Sequence, residues 1–247
     1  MRVTVVGSGD AFGSGGRFTT CFWVETAKAT LLIDCGASSP VALKIRGLDF
    51  DRVDGVVLSH LHGDHFGGLP FLLLDAQLIS RRERPLVIAG PPGMQARVEA
   101  ALEIFFPRAA GNKWRFPLEF AEIEPGRPAT ILGHCVTTAE VVHQSGAPST
   151  AVRISDGRSD LAYSGDTEWT DALLPIAAGA DLFILECSGY AGRVPGHLTW
   201  ENLKPRLAEL AASRILITHM NETMLGHRDE VSAAGLLIAE DGAVIEV

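Results

Sequence analysis

The sequence predicts an α/β protein of two sheets with helices on their outer faces, and three observations point there. Short apolar runs recur with helical stretches between them, and the two halves of the chain carry similar sets of such runs. Polar residues able to bind a metal stand just past the ends of several runs, which is where open α/β sheets place their sites. In the first half, apolar and β-branched runs predict strands at residues 3–6, 22–25, 30–33, 53–58 and 86–89. A helix is expected over 66–77, after the glycines at 67 and 68, and another near 92–106. In the second half, strands are expected near 118–124, 135–142, 149–154, 160–163, 181–185 and 214–218, with helices near 171–178 and 200–212. No low-complexity segment, short repeat or evident linker divides the chain, so residues 1–247 are expected to form one domain.

Composition narrows the function classes. Hydrophobic residues make up 47% of 247, enough for a sizeable core, and the net charge is -9. An acidic chain with a pI near 5.3 has no general attraction for nucleic acid or anionic lipid. The cluster Arg81-Arg-Glu-Arg84 is the one dense basic stretch, explained as well by a solvated helix end as by a phosphate contact. Met1 leads straight into a strand without a secretory apolar region, and no apolar run approaches the ~18 residues of a membrane span. A soluble, cytoplasmic protein is expected. Cys21, Cys35, Cys135 and Cys187 are widely spaced, which suits reduced, buried thiols.

The run Ser59-His-Leu-His-Gly-Asp-His65 holds three imidazoles and a carboxylate in seven residues. Desolvating so many titratable groups without a metal is costly, and borderline-soft divalent ions favour imidazole with a carboxylate. In a turn at a strand's end, His60 and His62 can point one way while Asp64 and His65 point another, so the run can serve two adjacent ions. Three more residues stand just past an apolar strand as His60 does: His143, Asp166 and His219. One ion would take His60, His62 and His143, the other Asp64, His65 and His219, and Asp166 has the two oxygens needed to bridge them. Two divalent ions about 3.5–4 Å apart can hold and activate a water, so hydrolysis is the natural chemistry.

The spacing His-x-His-x-Asp-His followed by a distant His, Asp and His resembles the metallo-β-lactamase fold hydrolases over nearly the whole chain. Within that superfamily the chain is most similar to the ribonuclease Z branch and its small-phosphodiesterase relatives. The segments Val5-Val-Gly-Ser-Gly-Asp-Ala-Phe12, Leu32-Ile-Asp-Cys-Gly36, the His run through Pro70, Ser164-Gly-Asp-Thr167, Gly196-His-Leu-Thr199 and Leu216-Ile-Thr-His219 match in order. The resemblance implies a four-layer αββα sandwich. It implies His60, His62, Asp64, His65, His143, Asp166 and His219 as ligands of two divalent ions, zinc first, with manganese or iron as alternatives. It also implies a metal-bridging hydroxide as nucleophile, steered by Asp64, and His197 as proton donor to the departing oxygen. The plainer reading of His197 is a loop residue beside the helix that Thr199 starts. Glu186 matches an acid of the family's His-Glu-Ala-Thr segment, with Leu185 in place of the histidine, and is expected to orient a neighbour.

One departure is large. The ribonucleases carry a long basic arm between the ligands matching His143 and Asp166, and here 22 residues separate these two. A tRNA substrate is therefore not expected, and a small phosphodiester, such as a cyclic nucleotide or a cyclic ribose phosphate, fits better. The alternatives are lactonase, thioesterase or arylsulfatase activity on the same metal site, tRNA 3′ processing, and, last, a metal-binding protein without catalysis. A homodimer is an expectation from the resemblance alone. Gly7-Ser-Gly-Asp-Ala-Phe-Gly13 imitates a dinucleotide-binding fingerprint with Asp34 downstream, but residues 13–24 favour loop and strand over the required helix. Those glycines are expected to shape a loop on the site's rim, and Asp34 to orient a ligand histidine. His134 is expected to be structural or solvated, and His227 a surface residue or part of the substrate mouth. Trp23, Trp114, Trp169 and Trp200 are expected in packing, with Trp169, close to Asp166, the one worth testing.

Overall fold

A computed structural model describes residues 1–109, 111 and 113–247. The first half runs β1 (Arg2–Gly7), β2 (Cys21–Glu25), β3 (Thr30–Ile33), α1 (Ser39–Ile45), β4 (Gly55–Val57), α2 (Gly63–Phe66), α3 (Leu69–Leu78), β5 (Leu86–Gly90), α4 (Met94–Phe105) and β6 (Leu118–Glu122). The second half runs β7 (Ala129–Ile131), β8 (His134–Glu140), β9 (Thr150–Ser155), β10 (Asp160–Tyr163), α5 (Leu173–Ala177), β11 (Leu182–Glu186) and α6 (Trp200–Leu203). It ends with β12 (Ile215–Thr218), α7 (Glu222–Leu225), α8 (Arg228–Ala233), β13 (Leu237–Ile238) and β14 (Val244–Glu246). Two seven-stranded sheets result, in the orders β14-β1-β2-β3-β4-β5-β6 and β13-β12-β11-β10-β9-β8-β7.

Strand alternation builds the layers. Val3, Val5, Phe22, Val24, Leu31 and Ile33 face the second sheet and meet Val152, Ile154, Leu161, Tyr163, Leu182 and Ile184 in one buried cluster. Their neighbours Val6, Trp23 and Leu32 face the other way, under α1, α3 and α4. Ala162, Phe183, Leu185 and Ile217 likewise pack under α5 to α8. This is an αββα sandwich. β3 to β6 run parallel, as do β10 to β13, and each parallel step is made through helical crossovers. The last strand returns to the first sheet, pairing antiparallel with β1 in the register Val3↔Ile245.

Some expectations need correcting. The helix expected at 66–77 is two pieces, because Gly67 and Gly68 interrupt it and Pro70 sits in the first turn of α3. The one expected at 200–212 is a single α turn followed by 3-10 turns over Lys204–Glu209, since Pro205 lacks the amide that would continue it. Arg82 is neither solvated nor a phosphate contact: its buried guanidinium donates to the carbonyls of Asp51, Val53, Arg84 and Pro85. Cys21, Cys35 and Cys187 are buried, whereas Cys135 is exposed on β8. Among the described residues no helix is long and apolar enough to cross a membrane.

Candidate metal centre

The site lies on one edge of the sandwich, where the two sheets' parallel strands end. Asp34 follows β3, His60 to His65 follow β4, Asp166 follows β10, Glu186 ends β11 and His219 follows β12. His143 joins them because β8 is antiparallel to β9, which is antiparallel to β10, so β8 ends on the same edge. Asp34 and His219 both take left-handed backbone, with φ of 55° and 59°. Such strain amounts to roughly 1–3 kcal/mol each and persists where neighbours enforce it. Here the Asp34 amide donates to the Val57 carbonyl and the His219 amide to the Ser8 carbonyl, so each side chain is re-aimed just past its strand.

The His run is pinned against the chain after β3. The Cys35 amide donates to the His65 carbonyl, Ala37 to Gly63, and Gly68 to Cys35. The approach is close enough that a Cβ on Gly36 would come within 2.0 Å of the Asp64 carbonyl oxygen. Glycine at 36 is therefore a steric requirement for placing Asp64. Asp64 and His65 occupy the single turn α2, while His60 and His62 precede it, and this change of backbone separates the two pairs.

The side chains converge in two groups. Ligand atoms of His60, His62 and His143 lie within 4.8 Å of one another, and so do those of Asp64, His65, Asp166 and His219. Asp166 Oδ2 is 3.1 Å from His65 Nε2, 3.3 Å from His219 Nε2, 3.8 Å from His60 Nε2 and 3.9 Å from His143 Nε2. Asp64 Oδ2 lies 3.2 Å from His65 Nε2 and 3.3 Å from His219 Nε2. All seven residues assigned to metal from the sequence are therefore in one place, with Asp166 between the two groups.

The ring tautomers favour coordination. His60 Nδ1 donates to Ser59 Oγ at 3.0 Å, because that hydroxyl already donates to Asp34 Oδ2 at 2.8 Å. His65 Nδ1 donates to Asp34 Oδ2 at 2.7 Å, and His143 Nδ1 to the Gly196 carbonyl at 2.7 Å. In all three the proton is held on the outer nitrogen and Nε2 faces the centre, the arrangement metal-binding imidazoles use. His60 Nε2, His65 Nε2 and Asp166 Oδ1 are buried with no partner among the described residues. Such atoms are what divalent ions would satisfy, and the mixed imidazole and carboxylate set suits them.

Charge tells the same story. Burial pushes the His60 imidazole well below its ordinary pKa, with His65 acting in the same sense. Burial would raise Asp166, but His219 and His65 hold it well below the usual carboxylate range; Asp64 is lowered against its own burial by His65 and His219. Conversely, burial would lower His65 and His219, yet Asp166 and Asp64 raise both, His219 to about 9. Two buried carboxylates demand positive charge, and without cations imidazolium protons supply it. Divalent ions would displace those protons, so metal uptake releases protons and weakens as pH falls.

Beyond these seven, Asp34 is fully buried and accepts from His65, from the Ser59 amide and from the Ser59 hydroxyl. Glu186, also fully buried, accepts from the Thr167 and Ser188 amides and lies 3.0 Å from His197 Nδ1. Burial raises the Glu186 carboxyl; His197 is raised against its burial by Glu186 and Asp166. His197 Nδ1 is 3.9 Å from Asp166 Oδ2, so this histidine is at the centre and not merely beside a helix.

Other placements differ. His134 is buried between Thr26 Oγ1 and the Ile131 carbonyl, a structural role. His227 stacks on Tyr190 at 3.5 Å and donates to the Thr223 carbonyl, away from the centre. Trp169 lies under the Arg206 guanidinium and borders a neighbouring hollow that shares His197. The glycine-rich loop after β1 leads into β2 with no α-helix, which removes the dinucleotide reading. Its Asp10, Ala11 and Phe12 line the cavity holding Asp64, Asp166 and His219. Sequence reasoning missed Glu168, whose Oε1 accepts from the Gly196 amide at 3.0 Å and from Arg193, fixing the loop that carries His197. Only its nearness to Asp166 could have signalled it.

Comparison with known proteins agrees with this geometry. A family profile described as Anti-Pycsar protein Apyc1 matches residues 1–242. The probable metallo-hydrolase YhfI of Bacillus subtilis (strain 168) is 30% identical over 231 residues, covering 89% of this chain and 87% of that one. The anti-Pycsar protein Apyc1 of Bacillus phage 010DV004 is 26% identical over 255 residues, covering 96% and 94%. The crystal structure of human tRNase Z, short form, superposes with a TM-score of 0.80 at 23% identity over 100% of this chain and 99% of that chain, a likeness of fold. The chain thus belongs to the Apyc1 family, within the ribonuclease Z-like branch of the metallo-β-lactamase fold, and is a metal-dependent hydrolase.

Proposed function

We propose that the protein is a phosphodiesterase acting on a small phosphodiester, such as a cyclic nucleotide or a cyclic ribose phosphate. The observation that carries this reading is His197, braced by Glu186 at 3.0 Å and 3.9 Å from the carboxylate of Asp166. Cleaving a phosphodiester releases an alkoxide, a poor leaving group that needs a proton at the moment of departure. With Nδ1 claimed by Glu186, Nε2 of His197 is the nitrogen free to give it. His60, His62 and His143 would hold one divalent ion and Asp64, His65 and His219 the other, with Asp166 shared; zinc suits this set, and manganese or iron are alternatives. When bound, such a pair lowers the pKa of water and neutralises charge on the phosphate. Asp64, the acid of the pair less deeply buried, aligns the attacking water, and Glu168 fixes the loop bearing His197 through the Gly196 amide.

Small substrates are favoured over tRNA. The segment between His143 and Asp166 is taken up by β9, β10 and the tight turn joining them in the register Ile154↔Leu161, which leaves no arm. The net charge of -9 also opposes a polyanion. The metal-analysed protein should hydrolyse bis(p-nitrophenyl) phosphate faster than aryl phosphomonoesters, aryl sulfates, lactones, thioesters or β-lactams. Faster lactone, thioester or sulfate cleavage would replace this reading with the second one, another ester on the same centre. Asp34→Asn should weaken metal affinity by about 10–100-fold, since an amide cannot accept from both Ser59 and His65 as the carboxylate does. Competition with a chromophoric chelator measures this, and unchanged affinity would remove Asp34 from the site.

A further inference from the structure

The geometry points to Phe12 as a specificity-determining residue that stacks against a planar ring of the substrate; the inference rests on the phosphodiesterase reading. Phe12 is 92% exposed, the most exposed large apolar side chain among the described residues, and stands at the mouth of a cavity of about 400 Å³. Its lining runs from the buried Asp166 and His219, with Asp64 and His197, to the half-buried Val194 and the exposed Pro195 and Phe12. With divalent ions held by these acids and imidazoles, a ligand that fills it would carry its anionic group against them and its apolar part against Phe12, Val194 and Pro195. A phosphate bearing only small polar substituents would leave those three residues unused.

The exposure of Phe12 is imposed by an ordered loop. Asp10, 3% exposed, accepts from the Phe12 amide at 3.1 Å, the Ser14 amide at 3.0 Å and the Ser14 hydroxyl at 2.7 Å. Gly13 then reverses the chain with φ of 72°, so the ring is carried on the tip of a closed turn. Asp241 fastens the base of the loop, accepting from the Ser8 amide and hydroxyl and from the Phe18 amide. The Ser8 carbonyl in turn accepts from the amide of His219, so the turn and the metal centre share one anchor. An aromatic ring pre-positioned in this way offers a flat, low-entropy contact to another ring.

The test uses the metal-loaded protein and two probes of one anionic head, phenylphosphonate and methylphosphonate, titrated calorimetrically at a pH where both are dianions. The unaltered protein should bind the phenyl compound about 3- to 10-fold more tightly, as expected of one aromatic stack. Phe12→Ala should abolish that preference while leaving methylphosphonate binding and metal content unchanged, and Phe12→Trp should restore it. An equal affinity of the unaltered protein for the two probes, a phenyl preference that survives in Phe12→Ala, or a loss that falls equally on both would overturn the inference. So would a change in Phe12→Ala confined to oligomeric state, which would assign the ring to a protein contact. Turnover of bis(p-nitrophenyl) phosphate is measured in parallel. Its absence, with the phenyl preference obeying these expectations, would remove the phosphodiesterase reading and keep Phe12 as an aromatic subsite.

Discussion

Asp166→Ala is expected to abolish turnover, with a fall of more than about 10³-fold, and to prevent binding of the full complement of metal. The magnitude reflects the several kcal/mol that Lewis-acidic ions contribute to stabilising the transition state. Asp166 is the one carboxylate whose oxygen lies within 3.9 Å of imidazoles from both groups. Removing it takes away the carboxylate that faces Nε2 of His60 and His143, and leaves Nε2 of His65 and His219 facing Asp64. Elemental analysis together with steady-state kinetics checks both halves. A variant that keeps one ion per chain and normal activity would refute the shared role.

The second large effect is expected at His197. His197→Ala should retain its metal but turn over about 10²–10⁴ times more slowly on esters with alkyl leaving groups. The loss should shrink for p-nitrophenyl esters, because a nitrophenolate departs without a proton. That contrast separates a proton donor from a residue that merely shapes the loop, whose removal would slow all esters alike. The fixed geometry around it, with Glu186 accepting from the Thr167 and Ser188 amides, means that the acid is held by backbone and not by other mobile side chains.

Much of the fold and of the metal centre is legible in the sequence. Near-continuous apolar runs in Val3 to Val6 and Phe22 to Glu25 mark strands with two buried faces, as sheets covered by helices require. The position just past an apolar strand identifies His143, Asp166 and His219, because the carboxyl ends of β8, β10 and β12 share one edge. What escapes has a common physical cause. β7, β13 and β14 have two or three residues each, too few for a period to show, and α1 is seven residues with three buried positions. Glu168 and Asp241 act through hydrogen bonds to groups 25 or more residues away in sequence, and no local pattern encodes such a bond. Phe12 is invisible for the opposite reason: an apolar residue in a glycine-rich turn reads as packing, and only its exposure shows otherwise.

The two sheets contribute unequally to the rim: Asp34 and the His run hang from the first, Asp166, Glu186, His143 and His219 from the second. Any cation gripped by this set is also a clasp between the layers, adding to the apolar contacts that press them together. Ligation energy then resists unfolding as well as serving chemistry, and a chelator acts on the whole sandwich, lowering its melting temperature as it empties the pocket.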